Sequence, residues 1–270
     1  MKIISLVPVL LVFVLSHTRL FAQEGERILR NDFEKFYRAF DVTGGIIIFD
    51  EQQNNYLVYN KELVDKRLPP ASTFKIVNSL IALETGAIGD ENEVIRWDSV
   101  QRSFPGWNSD NNLTTAYKYS VVWFYQELAR RTGPKQMRHW IDKVNYGNND
   151  LSGGIDKFWL TGGLRISPAE QVKMLVRLNH SELPFSPKTI ETVKKIMIAK
   201  ETPDYTLRAK TGWRDEDARD IGWYVGYVVR GDKTYYFANC IMSPPENKNF
   251  AKARIEIVLN ILKELKIIEE

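Results

Sequence analysis

The sequence predicts an α/β protein of the α+β type, in which an antiparallel sheet built from both chain ends is flanked by helices. Runs rich in β-branched and aromatic residues lie near the start, in residues 44–60, and near the end, in residues 207–242. The segment between them, roughly 90–200, has the apolar spacing and capping residues of helices. Strands from both ends with helices between them favour a sheet that carries an inserted all-helical subdomain.

The N-terminus predicts an export signal that lies outside the fold. Lys2 precedes an apolar run, Ile3–Leu15, which is shorter than the roughly 20 residues that a membrane-spanning helix needs. A basic start, a short apolar core and a small residue at the end predict a signal peptide over residues 1–22, cleaved after Ala22. We therefore expect residues 23–270 to form a single periplasmic or secreted domain with no stable membrane association.

The composition excludes several classes of partner. Removing residues 1–22 takes away Lys2 and Arg19 and leaves 35 basic and 34 acidic side chains, a net charge of +1. A nearly neutral chain gives no electrostatic argument for nucleic acid. Cys240 is the only cysteine, so no internal disulfide can form. The composition leaves a monomer and a homodimer equally open.

The first elements are a helix, a hairpin and a second helix. Aromatic residues in 31–40 recur at helical spacing, and two strand-like runs, 44–50 and 55–60, flank a turn. The prolines Pro69 and Pro70 then break the chain, so a helix can open at Ala71 or Ser72. Gly86 or Gly89 can close it.

Local signals define the later elements. A helical stretch, 114–132, should end at Gly133-Pro134, and a capping box over 167–170 should open a helix to about Asn179. A hydrophobic staple around Ser186 predicts a helix to about Lys200. Two strand runs, 221–230 and 234–242, flank a tight turn. A strand beginning at Leu207 and an amphipathic helix over about 248–266 complete the prediction.

Ser72 and Lys75 form the first candidate catalytic pair. Residues three apart lie on one face of a helical turn, so an amine would stand beside the hydroxyl. A serine hydroxyl needs a base to become a nucleophile, and a lysine that is shielded from water can provide one. Taken alone, the pattern favours an N-cap serine followed by a surface lysine.

The motifs that are missing narrow the chemistry. Phosphate-binding loops, the H-E-x-x-H motif and the G-x-S-x-G elbow do not occur. After residue 22 the histidines are His139 and His180, both in charged, helical contexts. A serine–histidine–aspartate triad and a histidine-rich metal site are therefore unpromising.

Lys210-Thr211-Gly212 is a second motif, and it changes the interpretation of Ser72 and Lys75. S-x-x-K upstream and K-T-G downstream together mark serine enzymes that react with penicillins. Further motifs follow in order: Ser120-Val121-Val122, Tyr146-Gly147-Asn148, Phe158-Trp159-Leu160 and Trp213 directly after K-T-G. With this set, from about Asn31 to Ile268, the chain resembles the class D (oxacillinase-type) serine β-lactamases. S-V-V, where other penicillin-interacting enzymes have S-D-N, favours class D.

The resemblance implies a role for each catalytic position. Ser72 would be the nucleophile, and Lys75 would carry a carboxylate formed from CO2 (N6-carboxylysine) as general base, with no metal and no other cofactor. Trp159 would donate its indole N–H to that group. Ser120, beside Lys210, would pass a proton to the lactam nitrogen.

The resemblance also implies a binding site for β-lactam antibiotics. Backbone N–H groups of Ser72 and Trp213 would form the oxyanion hole, and an arginine on the last helix would hold the substrate carboxylate. That arginine is Arg254, with Lys252 as the alternative if the register slips. The remaining candidates for substrate binding are Thr211, Gly212, Val122, Trp107, Tyr146 and Leu160, where core packing is an equal interpretation for Trp107.

The chain departs from the family pattern in one loop, and two alternative functions remain open. Gly162 and Gly163 close the loop after Trp159, which predicts unusual backbone angles or mobility there. A sensor that is acylated at Ser72 and stays acylated has closely similar motifs. A cell-wall DD-peptidase is the weaker alternative, because such enzymes usually carry S-x-N and a membrane anchor.

Overall fold

The computed structural model describes residues 25–216 and 219–269, so the predicted signal peptide lies outside the described residues. Their strands form one sheet in the order β1-β3-β2-β7-β6-β5-β4. All neighbouring strands are antiparallel except β1 and β3, which run parallel. The strands are β1 (Glu26–Leu29), β2 (Thr43–Asp50), β3 (Asn55–Tyr59), β4 (Ile198–Glu201), β5 (Thr206–Glu216), β6 (Arg219–Arg230) and β7 (Lys233–Ser243).

The predicted sheet is confirmed, and both chain ends meet at its centre. Strand β2 pairs with β7, with Thr43 opposite Met242 and Asp50 opposite Tyr235. The short parallel strand β1 is an edge that the sequence pattern did not reveal, because it is only four residues long and mostly exposed.

Helices cover both faces of the sheet. They are α1 (Glu34–Arg38), α2 (Lys61–Asp65), α3 (Lys75–Glu84), α4 (Leu113–Lys118), α5 (Val122–Val144), α6 (Pro168–Asn179), α7 (Pro187–Ile196) and α8 (Phe250–Glu264). Short 3-10 turns occupy Asn31–Phe33, Ala71–Phe74 and Pro105–Trp107. None of the helices within the described ranges has both the length and the apolar character needed to cross a bilayer.

Two apolar clusters hold the layers together. Ile47 of β2 belongs to the cluster beneath α3, α5 and α6, whereas its neighbours Ile46 and Ile48 belong to the cluster beneath α1 and α8. This alternation follows from the two-residue period of a strand, whose successive side chains point to opposite faces. The helical segment and the C-terminal helix therefore pack against opposite sides of the same strands.

The helix boundaries show where local sequence patterns were sufficient to predict the ends of a helix. The capping box is present as predicted: Glu170 N donates to Ser167 Oγ at 3.2 Å, and Ser167 N donates to Glu170 Oε2 at 2.9 Å. Helix α7, by contrast, ends at Ile196 instead of continuing to Lys200, because residues 198–201 pair with β5 as β4.

The predicted helix over 114–132 is wrong in its continuity and right in its end. It is divided into α4 and α5 because Ser120 between them has a left-handed φ of 56°, which interrupts the helical hydrogen bonds. Its predicted end at Gly133-Pro134 is correct, because Gly133 leaves helical angles (φ 75°, ψ 160°) and a second helical run starts at Pro134, so α5 consists of two helical runs joined by a kink.

Candidate active site

Ser72 and Lys75 meet at the junction of a 3-10 turn and helix α3. The 3-10 turn spans Ala71–Phe74, and α3 begins at Lys75. In a 3-10 turn the side chains at i and i+3 lie directly above one another. Lys75 Nζ consequently lies 2.6 Å from Ser72 Oγ. The hydroxyl and the amine are in hydrogen-bond contact.

Lys75 is buried, as predicted, and its surroundings favour the neutral amine. Its side chain is 0% exposed, and its Nζ lies 5.3 Å from the centre of the Tyr125 ring. Burial holds the pKa of Lys75 well below its usual value, and the nearby charge of Lys210 lowers it further. A neutral amine beside a hydroxyl can accept its proton, which a lysine in water at neutral pH cannot do.

Ser120 lies between two lysines. It occupies the short connection between α4 and α5, and its Oγ is 3.3 Å from Lys75 Nζ and 3.1 Å from Lys210 Nζ. Lys210, on β5, also donates to the backbone carbonyl of Thr211 at 3.0 Å. Burial and the charge of Arg254 lower the pKa of Lys210 to about 7. The hydroxyl therefore connects two amines whose pKa values are both lowered by burial.

Arg254 reaches β5 from helix α8, whereas Lys252 is exposed. Arg254 Nη1 donates to the carbonyl of Gly212 at 2.8 Å, and the guanidinium lies 5.0 Å from the centre of the Trp213 ring. Its stem lies flat on Gly222 of β6, where an added Cβ would be 2.7 Å from Arg254 Cγ and Cδ. Burial lowers the pKa of Arg254 to about 10, which leaves it charged at neutral pH. Of the two candidates, Arg254 is the one beside K-T-G.

Trp159 lies in an aromatic cluster with Phe74, the residue before Lys75, and Phe158. Its ring is 5.5 Å from Phe74 and 4.9 Å from Phe158, measured between ring centres. Trp159 is 1% exposed, and its Nε1 has no hydrogen-bond partner among the described residues. An indole N–H normally finds an acceptor when it is buried. A buried neutral amine and a free buried donor fit a carboxylated Lys75.

Gly162 and Gly163 contradict the expectation of unusual backbone angles. Neither glycine has a positive φ. Instead, a Cβ at Gly162 would lie 2.2 Å from the carbonyl oxygen of Ser152 and 2.5 Å from Phe158 Cα. A Cβ at Gly163 would lie 2.1 Å from Asp150 Oδ2. Glycine is needed here because the loop after Trp159 packs directly on the preceding turn.

The remaining predicted side chains fall into an accessible group and one buried residue. Trp213 is 42% exposed, and Thr211, Trp107, Val122 and Leu160 are half-buried, so these side chains are accessible. Trp107 Nε1 donates to the carbonyl of Tyr119 at 3.0 Å, which ties its ring to the residue before Ser120. Tyr146 differs: it is 1% exposed and packs edge-on against Phe74, with 5.5 Å between ring centres. It supports the core and does not line a cleft.

Sequence reasoning missed the residues that hold the Ser72 turn. Ala71 has a left-handed φ of 47°, which costs a residue with a Cβ about 1–2 kcal/mol. No sequence pattern signals a strained alanine. Gln171, which is 0% exposed and donates to Thr73 Oγ1, was detectable because a polar residue occurs on the apolar face of α6. Within the described ranges, no group of three histidine, cysteine or acidic side chains is placed to hold a metal ion.

Comparisons with known proteins agree with this geometry. Residues 35–263 match the family model described as the penicillin binding protein transpeptidase domain. The chain is 41% identical to beta-lactamase OXA-48 of Klebsiella pneumoniae over 226 residues, which are 83% of this chain and 84% of that protein.

Two solved structures are similar over almost the whole chain. A class D beta-lactamase from Sebaldella termitidis ATCC 33386 has a TM-score of 0.86 and 38% identity, over 91% of this chain and 100% of that one. The C-terminal domain of the Bacillus licheniformis BlaR penicillin-receptor has a TM-score of 0.87 and 33% identity, over 92% of this chain and 100% of that one.

Proposed function

The chain belongs to the class D β-lactamase family of serine β-lactam hydrolases, and on that basis we propose that it hydrolyses penicillins through an acyl-enzyme on Ser72. The observation that carries the proposal is the 2.6 Å contact between Ser72 Oγ and the buried Nζ of Lys75. A hydroxyl in contact with an amine whose pKa lies well below its usual value is an activated nucleophile.

Acylation begins when Ser72 Oγ attacks the lactam carbonyl. Lys75 removes the hydroxyl proton, and the backbone N–H groups of Ser72 and Trp213 bind the oxygen that becomes negative. Each such donor is worth about 3 kcal/mol in the transition state. Ser72 then carries the acyl group as an ester.

Lys75 would gain its full capacity as a base when its neutral Nζ bonds to CO2 and releases one amine proton to water, which leaves a carboxylate on Nζ. The carboxylate on Nζ supplies an anionic oxygen that can take a proton from Ser72 and later from the water that cleaves the ester. Trp159 offers its buried Nε1, which has no partner in the described part of the chain, to hold that oxygen. Burial lowers the pKa of Lys75, which favours the unprotonated amine that reacts with CO2.

Proton transfer to the leaving nitrogen passes through Ser120. Its Oγ is within hydrogen-bond distance of both Lys75 Nζ and Lys210 Nζ. Ser120 can therefore donate its own proton to the lactam nitrogen and be reprotonated from Lys210. The pKa of about 7 for Lys210 suits a group that must give up a proton near neutral pH.

The substrate carboxylate would lie beside the middle of β5, past the residues that pair with β4. Lys210, Thr211 and Arg254 are the polar groups there, and the guanidinium fork can contact both carboxylate oxygens. Trp107, Val122, Leu160 and Trp213 would contact the rest of the antibiotic, with Gly212 giving it backbone access. Tyr146 acts indirectly, by supporting Phe74 from the core.

Export completes the proposal. A signal peptide over residues 1–22, cleaved after Ala22, would place the domain of residues 23–270 in the periplasm or outside the cell. Hydrolysis there would protect the cell from β-lactam antibiotics. The partners are these small molecules and not nucleic acid, and the protein acts as a monomer or homodimer.

The similarity to the BlaR penicillin-receptor supports a second candidate, a sensor that remains acylated. Nitrocefin separates the two candidates. An enzyme gives a burst of about one equivalent followed by sustained turnover, whereas a sensor gives stoichiometric labelling without turnover. Sustained turnover supports the enzyme, and its absence contradicts it.

The Lys75 mechanism is tested in the same assay. Lys75→Ala should abolish turnover, and bicarbonate should not restore it. Bicarbonate should instead raise the activity of the wild-type protein after exposure to low pH, because CO2 is then returned to the neutral amine. A Lys75→Ala variant that keeps most of its activity would contradict the proposed base.

A further inference from the structure

The turn before the nucleophile contains a strained residue. Ala71, with a φ of 47°, directly precedes Ser72, and Pro70 before it has helical angles, φ −69° and ψ −23°. A residue with a Cβ stays in the left-handed region only where its surroundings hold it. If Ala71 relaxed, the peptide that leads into Ser72 would rotate and carry its Oγ away from Lys75.

A chain of buried hydrogen bonds fixes the carbonyl of Pro70. That carbonyl accepts from Thr73 N at 3.1 Å and from Thr73 Oγ1 at 2.7 Å. Thr73 Oγ1 in turn accepts from Gln171 Nε2 at 2.8 Å. Thr73 and Gln171 are both 0% exposed, so water does not compete for these bonds. The threonine hydroxyl has one proton, and Gln171 ensures that this proton points at Pro70.

Other contacts hold the same turn from two more sides. Trp223 Nε1 of β6 donates to the carbonyl of Pro69 at 2.9 Å. Leu68 and Ile166 exchange two backbone hydrogen bonds of 2.9 Å, and Ile166 directly precedes the N-cap of α6, the helix that carries Gln171. A Cβ at Gly212 of β5 would lie 3.1 Å from the oxygen of Pro70. The turn is thus bound to α6, β5 and β6 together.

From this geometry we propose that Gln171, acting through Thr73 Oγ1, is a positioning residue for Ser72 in the acylation step. The inference rests on the proposed function and adds to it a residue that does not touch substrate. The buried Gln171 directs its Nε2 at the residue after the nucleophile, whereas its Oε1 has no hydrogen-bond partner among the described residues, so Thr73 Oγ1 is the contact that holds this amide. The hydroxyl of Tyr146 faces the same pair without a hydrogen bond of standard geometry, so the tether is the Gln171–Thr73 bond.

Four variants test the tether in single-turnover acylation by nitrocefin, with rates expressed per titrated active site. Thr73→Val is isosteric and removes the hydroxyl, so acylation should slow by about 30-fold, within the range expected for sub-ångström misplacement. Thr73→Ser keeps the hydroxyl and should stay within about threefold of wild type. Gln171→Met should slow acylation by about tenfold, and adding it to Thr73→Val should cause little further loss, because both act through one bond.

A second substitution, at Ala71, distinguishes misplacement of Ser72 from a general loss of stability. Glycine occupies the left-handed region freely, so Ala71→Gly in the Thr73→Val background should recover acylation by about fivefold. Thr132→Val is the matched control, because its buried hydroxyl has no partner among the described residues, and it should leave acylation unchanged.

The outcomes distinguish the inference from the proposed function. The inference is overturned if wild type is acylated and Thr73→Val is acylated at the same rate per active site, whatever happens to its unfolding midpoint. It is also overturned if Thr73→Ser falls as far as Thr73→Val. A wild-type protein that nitrocefin does not acylate at all would instead contradict the proposed function.

Discussion

Lys210 should reduce the stability of the fold, and Lys210→Met should remove that cost. The side chain is 4% exposed, and burial lowers its pKa from 10.5 to about 7. A base whose pKa is lowered by folding binds more protons when unfolded, so its unfavourable contribution grows as the pH falls from 10.5 towards 7. Proton linkage gives a cost of about 4 kcal/mol at pH 7 and about 2 kcal/mol at pH 9.

The pH dependence is a better test than the absolute gain. Methionine also removes the hydrogen bonds of Lys210 to Ser120 and Thr211, which should offset about 1–3 kcal/mol of the gain at every pH. The advantage of Lys210→Met in free energy of unfolding should therefore shrink by about 2 kcal/mol between pH 7 and pH 9. The charge of Lys210 also lowers the pKa of Lys75, so Lys210→Met should raise that pKa. This second change should stabilise the fold in the same direction as the loss of the buried Lys210 amine.

Urea unfolding of both proteins, measured at pH 7, 8 and 9, checks this expectation. Lys252→Met is the matched control, because Lys252 is exposed on α8, and its effect should be small and equal at each pH. The argument would be refuted if the difference in free energy of unfolding between Lys210→Met and wild type stayed constant within about 0.5 kcal/mol from pH 7 to pH 9. That result would mean that Lys210 keeps an ordinary pKa despite its burial.

Three further predictions concern the rest of the site. Trp159→Phe removes the buried indole N–H and should slow deacylation more than acylation in rapid-mixing experiments; equal slowing of both steps would contradict its proposed role. Arg254→Ala should raise KM for penicillins by about tenfold, since a charged hydrogen bond is lost, whereas Lys252→Ala should leave KM unchanged; similar KM values for the two variants would exclude Arg254 as the carboxylate ligand. Gly162→Ala should destabilise the protein by about 1–3 kcal/mol, because its Cβ would meet backbone atoms. Gly163→Ala should cost less, because its Cβ would meet side-chain ends, and the reverse order in thermal unfolding would contradict this account.

Local chemistry explains which parts of the fold were predictable from sequence. The capping box at Ser167 and Glu170 involves neighbours in sequence, so its pattern identifies the start of α6 within a residue. Strands β6 and β7 are joined by a tight turn and are long and apolar, which gives a strong local signal. Ser72 and Lys75 are three residues apart, so the sequence alone predicts that they lie on one face.

The unpredicted features depend on contacts between distant segments. Strand β4 forms because β5 pairs with it, although residues 198–201 continue a helical pattern. Ser120 interrupts a helix-like stretch by adopting a left-handed φ, for which serine gives no signal. Gly162 indicates close packing instead of unusual angles, and only the approach of Ser152 and Phe158 reveals which property of glycine is needed.

The pairing of β2 with β7 has a consequence for how the protein acquires its structure. Thr43 and Met242 are 199 residues apart in sequence, yet they are neighbours in the middle of the sheet. Contacts between such distant residues make folding slow, because a large loop must close before they form. Helices such as α4 and α6 carry their own capping boxes and can begin to form locally, but the central strand pair forms only when β2 and β7 meet in the last stage of folding. Ser72 and Lys75 are only three residues apart in sequence. Lys210 and Arg254 reach them only in that last stage, because they lie far along the chain on β5 and α8. Catalytic activity should therefore appear late in folding.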